Sequence, residues 1–232
     1  CNLFLLLLKL TNKSFHKGVN CMSIDWQNLS IQDIEKWLRE TDASKLDELW
    51  QVADQVRRDH VGDEVHLRGL IEISNTCIRN CTYCGLRASN KDIERYRLSL
   101  KEILAAAKEA IKLGYGTIVM QAGEDPGIEA KWLAEVIRAI KSEAPVAITL
   151  SLGERDEKDW CLWKEAGADR YLLRFETSDR DLYEKIHPAT SKRRSHRLDQ
   201  LKVLQDIGYE TGSGVMVGIP GQSYKTLAQD IG

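Results

Sequence analysis

Leu70-Ile-Glu-Ile-Ser-Asn-Thr-Cys-Ile-Arg-Asn-Cys-Thr-Tyr-Cys84 runs from an apolar strand directly into three cysteines, Cys77, Cys81 and Cys84, spaced C-x3-C-x2-C. Three thiolates on one short loop can reach three corners of a cubane iron–sulfur cluster, because soft sulfur ligands suit iron. The fourth iron has no nearby cysteine and stays open to a small chelating molecule. Structural zinc takes four protein ligands, usually as two separated pairs. No second pair follows, since the other cysteines are Cys1, Cys21 and the isolated Cys161. A disulfide framework needs a secreted protein, and no convincing secretion signal precedes the loop. Cys161, in a helical-looking stretch, reads as a small buried hydrophobe.

Outward from the cysteines, short apolar strands alternate with amphipathic helices. Strands are expected at Leu70–Ser74, Thr117–Gln121, Val146–Leu150, Arg170–Phe175 and Glu210–Val217. Ser99 and Glu102 form a capping box for a helix carrying Ile103, Ala107, Ala110 and Ile111. Trp132, Leu133, Val136, Ile137 and Ile140 mark the next helix, a third ends at Gly167, a short one surrounds Leu182–Ile186, and another spans Ser195–Ile207. This alternation predicts βαβ units on a parallel sheet with right-handed crossovers. A doubly wound sheet and part of a barrel both fit, and in each the chemistry lies at the carboxyl ends of the strands. The polar clusters obey that rule. The cysteine loop follows the first strand, Gly123-Glu-Asp-Pro126 the second, Ser151–Glu154 the third, and Glu176 the fourth.

The chain has 232 residues, enough for one large domain. Its formal charge of −2 gives no basis for bulk binding of nucleic acid or an anionic membrane. The basic run Lys192–Arg197 reads as a solvated loop before a helix. Leu3–Leu8 is apolar but far short of a membrane span, which takes about 20 residues, and it lacks the flanks of a secretory signal. Translation is expected to start at Met22, leaving residues 1–21 as a non-native or disordered upstream segment. Residues 22–62 read as a helical extension, with caps near Ser30 and Ser44, and residues 63–232 as the main domain. The final stretch from Ser223 reads as the first turns of a helix cut short, so the chain looks like a fragment.

Several polar residues are candidates for the site. Gly123 allows close backbone approach, and a carbonyl or acid of the Gly123-Glu124-Asp125 loop could hold an ammonium group; a plain acidic turn is the alternative. Thr149 and Arg174 are polar positions in strands that otherwise read as buried. A buried arginine needs a partner, so Arg174 pairs with Glu176 or binds an anionic ligand. Arg197, at the start of a helix, reads as a solvated first-turn residue. The glycines of Gly212–Gly221 do not form a nucleotide fingerprint.

The aromatic Tyr83 before the last cysteine makes the loop resemble the radical S-adenosylmethionine (SAM) signature C-x3-C-x-aromatic-C, where the open iron binds the amino and carboxylate groups of SAM. Cys77-Ile-Arg-Asn-Cys-Thr-Tyr-Cys-Gly-Leu-Arg87, Arg95-Tyr-Arg97, Gln121-Ala-Gly-Glu-Asp-Pro126, Thr149-Leu-Ser-Leu-Gly-Glu154, Gly167–Arg174, Gly208-Tyr-Glu-Thr-Gly212 and Val217–Gln222 together resemble the HydE family of [FeFe]-hydrogenase maturases. That resemblance implies a complete (β/α)8 TIM barrel, of which this chain would hold about five strands and, alone, have weak or no activity. It implies reductive cleavage of SAM at a 4Fe-4S cluster, giving methionine and a 5′-deoxyadenosyl radical with no acid–base residue. The substrate would be an iron-bound, cysteine-derived small molecule, used in assembling the dithiomethylamine-bridged diiron subcluster. An external electron donor, the other hydrogenase maturases and a cytoplasmic location are implied too, the last because free thiols and the cluster need a reducing compartment.

By position, the resemblance makes Cys77, Cys81 and Cys84 the cluster ligands. It sets Tyr83, Gly123, Glu124, Glu176 and Arg197 around SAM, and Thr149 and Arg174 along the substrate cavity. Phe175 stands where a histidine is common, Ala122 replaces a serine, and the loop before Arg197 is about two residues longer than usual. Methylornithine synthases of the PylB type share the spacing and the Gly-Glu-Asp-Pro loop, and Cys84-Gly-Leu-Arg87 favours HydE over them. Biotin synthases differ in the flanking motifs. A non-catalytic iron–sulfur carrier has no use for Glu176 and Arg197 as SAM contacts.

Overall fold

A computed structural model describes residues 28–189 and 197–232. The expectations for residues 1–21, for a start at Met22, for a helix beginning at Ser195 and for the basic run before Arg197 lie outside the described residues. In chain order the elements are α1 (Ile31–Leu38), α2 (Ala43–Val61), β1 (Gly69–Ser74), α3 (Leu100–Lys112), β2 (Thr117–Ala122), α4 (Ala130–Glu143), β3 (Ala147–Ser151), α5 (Glu157–Glu165), β4 (Arg170–Leu172), α6 (Arg180–Ile186), α7 (Arg197–Ile207), β5 (Glu210–Gly212) and α8 (Tyr224–Ile231).

The described residues fall into two compact units. One contains residues 28–65 with Thr177–Leu182 and Val215–Gly232. Its core joins Ile34 and Trp37 of α1, Leu49, Val52 and Val56 of α2, and Leu227, Ala228 and Ile231 of α8. Capping boxes start α1 at Ser30 and α8 at Ser223. Asp42, rather than Ser44, caps α2, accepting from the Ser44 and Lys45 amides.

The second unit, His66–Glu176 with Tyr183–Gly214, carries the sheet. Its five strands pair in parallel, in the order β1-β2-β3-β4-β5. A doubly wound sheet reverses its strand order at a switch point. No reversal occurs here, so the sheet winds in one direction, as a β/α barrel does.

Strands β1 to β4 bury alternate side chains. Ile71, Ile73, Ile118, Met120, Ile148, Leu150 and Tyr171 are at most 5% exposed and join one core with Ile103 of α3, Leu133, Ile137 and Ile140 of α4, Trp160 and Trp163 of α5 and Leu204 of α7. Full burial of such a side chain stabilises by roughly 1.5–3 kcal/mol. The alternate positions Val119, Gln121, Thr149, Ser151 and Leu172 are only half-buried. Period-two alternation therefore gives the sheet one helix-covered face and one accessible face.

β4 and β5 are shorter than the apolar pattern predicts. Past the ladder the two segments stay close, with the Leu173 amide donating to the Gly212 carbonyl and the Glu176 amide to that of Gly214. Glu176 has φ +66, a left-handed conformation that interrupts strand geometry.

Candidate metal centre

The cysteine loop is held chiefly by hydrogen bonds from side chains to backbone groups. Arg95 donates to four carbonyls of the surrounding turns, those of Asn75, Leu86, Arg87 and Asn90. Asn75 accepts from the Tyr96 amide and donates to the Glu94 carbonyl. The Ile78 amide donates to the Glu124 carbonyl, 3.0 Å away, which joins the loop to the end of β2. Gly123 makes that approach possible. A Cβ there would lie 2.5 Å from the Thr76 carbonyl oxygen and 2.6 Å from the Cys77 Cβ, so no side chain fits. Asp125 completes the join from below: buried, it accepts from Ser74 and from the Arg97 guanidinium in bidentate fashion at 2.6 and 2.8 Å.

Behind the cysteines lies a buried ionic network drawn from four strand ends. Arg79 reaches Glu124 at 2.5 Å and Glu154 at 3.0 Å. Arg197 reaches Glu154 at 3.0 Å, Glu124 at 3.2 Å and Glu176 at 3.6 Å, and donates to the Arg174 carbonyl at 2.7 Å. Gln200 donates to Glu154 at 3.1 Å. His187 Nε2 lies 2.9 Å from the Arg197 guanidinium. Arginine can only donate, so Nε2 accepts and the proton sits on Nδ1. Glu124, Glu154 and His187 bring ligand-type atoms within 4.8 Å of one another. Two guanidiniums already share both carboxylates, so this group is a charge network rather than a cation site.

The structure brings most of the sequence-selected residues together. Tyr83 donates its hydroxyl to Glu176 at 3.1 Å. Arg197 is not solvated: its side chain is 9% exposed. Glu124 is buried rather than displayed on an acidic turn. Arg174 departs from expectation. It lies beyond β4 with an exposed side chain, and Glu176 pairs with Arg197 instead. Thr149 lies on the accessible face, in register with Val119 of β2 and Arg170 of β4. Arg79, Glu154 and His187 were missed as site residues. Only the place of Glu154 after β3 pointed toward them.

A match to the radical SAM superfamily covers residues 71–231. The chain belongs to the radical SAM superfamily. It is 49% identical over 183 residues to the [FeFe] hydrogenase maturase subunit HydE of Thermotoga maritima, covering 79% of this chain and 52% of that protein. It is 30% identical over 206 residues to a 3-methylornithine synthase of Methanosarcina acetivorans, covering 88% of this chain and 58% of the other. The chain thus spans about half the length of the curated relatives it matches. Among solved structures, methylornithine synthase PylB superposes with TM-score 0.79 at 26% identity, over 87% of this chain and 59% of that one. The maturase HydG from Carboxydothermus hydrogenoformans gives 0.78 at 27%, over 87% and 48%. The singly wound parallel sheet is thus a radical SAM fold.

Radical SAM enzymes use a 4Fe-4S cluster and SAM, and the residues of this chain fit both. The three cysteines are free thiols on one loop, with Cys81 buried and Cys77 and Cys84 partly so. The Arg79 amide donates to Cys77 Sγ at 3.4 Å, the kind of outer contact that supports a bound thiolate. Burial pushes the Cys81 thiol up to about 11 and raises Cys77 as well, so both thiols would give up protons in holding iron. The other cysteine among the described residues, Cys161, lies on α5, outside this loop. No helix among the described residues is long and apolar enough to cross a membrane.

His187 makes the fold acid-sensitive. Burial, then the charges of Arg197 and Arg79, depress its pKa to about 4 from 6.5, against a smaller opposing pull from Glu154. The Tyr183 ring packs over it at 4.9 Å. The unfolded chain binds the proton near pH 6.5 and the native state only near pH 4, so this contribution is complete above 6.5 and is lost as pH falls toward 4. It amounts to about 3 kcal/mol across that window. Urea unfolding at pH 7 and pH 5 should show a smaller pH difference for His187→Gln than for the parent, by about 2 kcal/mol. Equal differences in the two proteins would rule the assignment out.

Proposed function

We propose that this chain is the cluster-bearing part of a HydE-type maturase, which cleaves SAM reductively in assembling the dithiomethylamine-bridged diiron subcluster of [FeFe]-hydrogenase. The observation that carries the reading is the 49% identity to the Thermotoga protein, against 30% to the methylornithine synthase. Cys77, Cys81 and Cys84 hold the 4Fe-4S cluster, which when bound supplies the electron for SAM cleavage. Tyr83, Gly123, Glu124, Glu176 and Arg197 surround SAM. Both oxygens of Glu124 are already shared by Arg79 and Arg197, so a loop carbonyl, rather than this acid, suits the ammonium group. Thr149 on the accessible face and the exposed Arg174 line the substrate cavity, which receives an iron-bound cysteine-derived molecule. In this reading residues 22–62 form a helical extension and residues 63–232 the barrel portion. The protein works in the cytoplasm with an external electron donor and the other hydrogenase maturases.

The test uses the full-length protein, reconstituted anaerobically and given dithionite and SAM. It should release 5′-deoxyadenosine and support hydrogenase maturation, and Arg174→Ala should retain its cluster while losing maturation. A cluster that ignores SAM would instead identify an iron–sulfur carrier. Formation of methylornithine would favour the second reading, which the likeness to PylB supports. Normal maturation by Arg174→Ala would remove that residue from the substrate site.

A further inference from the structure

The four innermost charges of the network close on themselves. Arg79 Nε binds Glu124 Oε2 and Arg79 Nη2 binds Glu154 Oε2. Arg197 Nη2 binds Glu124 Oε1 and Arg197 Nε binds Glu154 Oε1. Each carboxylate divides its two oxygens between the same two guanidiniums. The side chains are 2% (Arg79), 7% (Glu124), 0% (Glu154) and 9% (Arg197) exposed, so water cannot substitute for any member. Arg79 is two residues from Cys77, while Arg197 starts α7, so the ring joins the cysteine loop to a residue on the far side of the site.

We propose that Arg79 and Glu154 are positioning residues that tie the cysteine loop to Arg197, so that damage on the cluster side weakens SAM binding on the other. A guanidinium is a planar fork whose donors point in fixed directions, and a carboxylate that binds two forks fixes the angle between them. Turning Arg79 therefore turns Glu124 and Glu154, and with them Arg197. Neither Arg79 nor Glu154 needs to touch SAM for this to act. Gly153, left-handed at φ +69, is part of the same device: a Cβ there would collide with the Glu124 side chain. The proposal rests on the cysteine loop being a radical SAM cluster site.

The test compares Arg79→Gln, Arg79→Lys and Glu154→Gln with the parent, in the full-length reconstituted protein. Iron content, equilibrium SAM binding and hydrogen exchange across residues 77–88 are measured. Arg79→Gln and Glu154→Gln should keep their iron and lose SAM affinity by about 10- to 100-fold, the cost typical of outer-shell partners. Exchange should rise by a larger factor across residues 77–88 than in β1, β2 and β3, where the broken ion pairs raise it only through global unfolding. Arg79→Lys, which keeps the charge but not the fork, should fall between. Parental SAM affinity in Arg79→Gln would overturn the proposal, as would exchange that rises by the same factor in the loop and in the three strands, which marks a plain loss of fold stability. If a variant takes up no iron, exchange in the metal-free protein decides by the same criterion. If the parent itself loads iron but does not bind SAM, the cofactor reading fails, and the exchange result alone decides the ring.

Discussion

Cys81→Ala is expected to leave the fold intact and abolish the chemistry. The residue is 8% exposed and sits in a turn whose shape comes from Arg95, Asn75 and the Gly123 contact, so removing one sulfur leaves those supports in place. Thermal unfolding of the metal-free variant should therefore match that of the parent. Iron content after reconstitution should drop sharply, because a cubane left with two thiolates has half its corners without a protein ligand. Release of 5′-deoxyadenosine should fall by more than the roughly 10- to 100-fold that outer-shell changes cost. The measurement pairs iron analysis with chromatography of the SAM products. A variant that retains four irons and parental product yield would remove Cys81 from the ligand set.

Arg197→Met should produce the largest loss of stability. The substitution keeps much of the side-chain volume but removes the cation shared by Glu124 and Glu154 and adjacent to Glu176. Arg79 alone then faces carboxylates that are 7% and 0% exposed. Removing one partner from a buried charge set typically costs about 3–5 kcal/mol. A solvated first-turn arginine would give a change within about ±0.5 kcal/mol. The two outcomes are far enough apart for a urea titration near neutral pH to separate them. SAM binding should be lost as well. A shift in the small range, with affinity retained, would show that the ionic network does not hold α7 in place.

What the sequence disclosed and what it hid follow from the range of the interactions. The cysteine spacing, the capping boxes at Ser30 and Ser99 and the alternation in β2 and β3 are local patterns, and the structure reproduces each. Arg79 was unreadable because its partners lie 45 and 75 positions away, and a charged residue in a loop resembles a solvated one. Arg197 was misread as exposed for the same reason. Arg174 and Phe175 continue an apolar run that reads as strand, but the ladder stops at Leu172 ahead of the left-handed Glu176, which leaves the Arg174 side chain exposed. A backbone reversal at a glutamate has no compositional signal, whereas a glycine would have given one. Strand order could not be read from periodicity either, since one-way and two-way winding use the same strands and helices.

The strap formed by Arg95 has a consequence for how the metal arrives. Its four bonds run to carbonyls of the turns that flank the cysteines, so the loop is braced by contacts that do not involve iron. Small zinc domains are the opposite case, since their chains collapse onto the ion and fall apart when a chelator takes it away. Here a donor delivering a cluster would meet a finished mould, and loading becomes a capture event in which geometry selects the cargo. Chelation should then empty the site reversibly, and the same chain should be refillable without ever passing through an unfolded state.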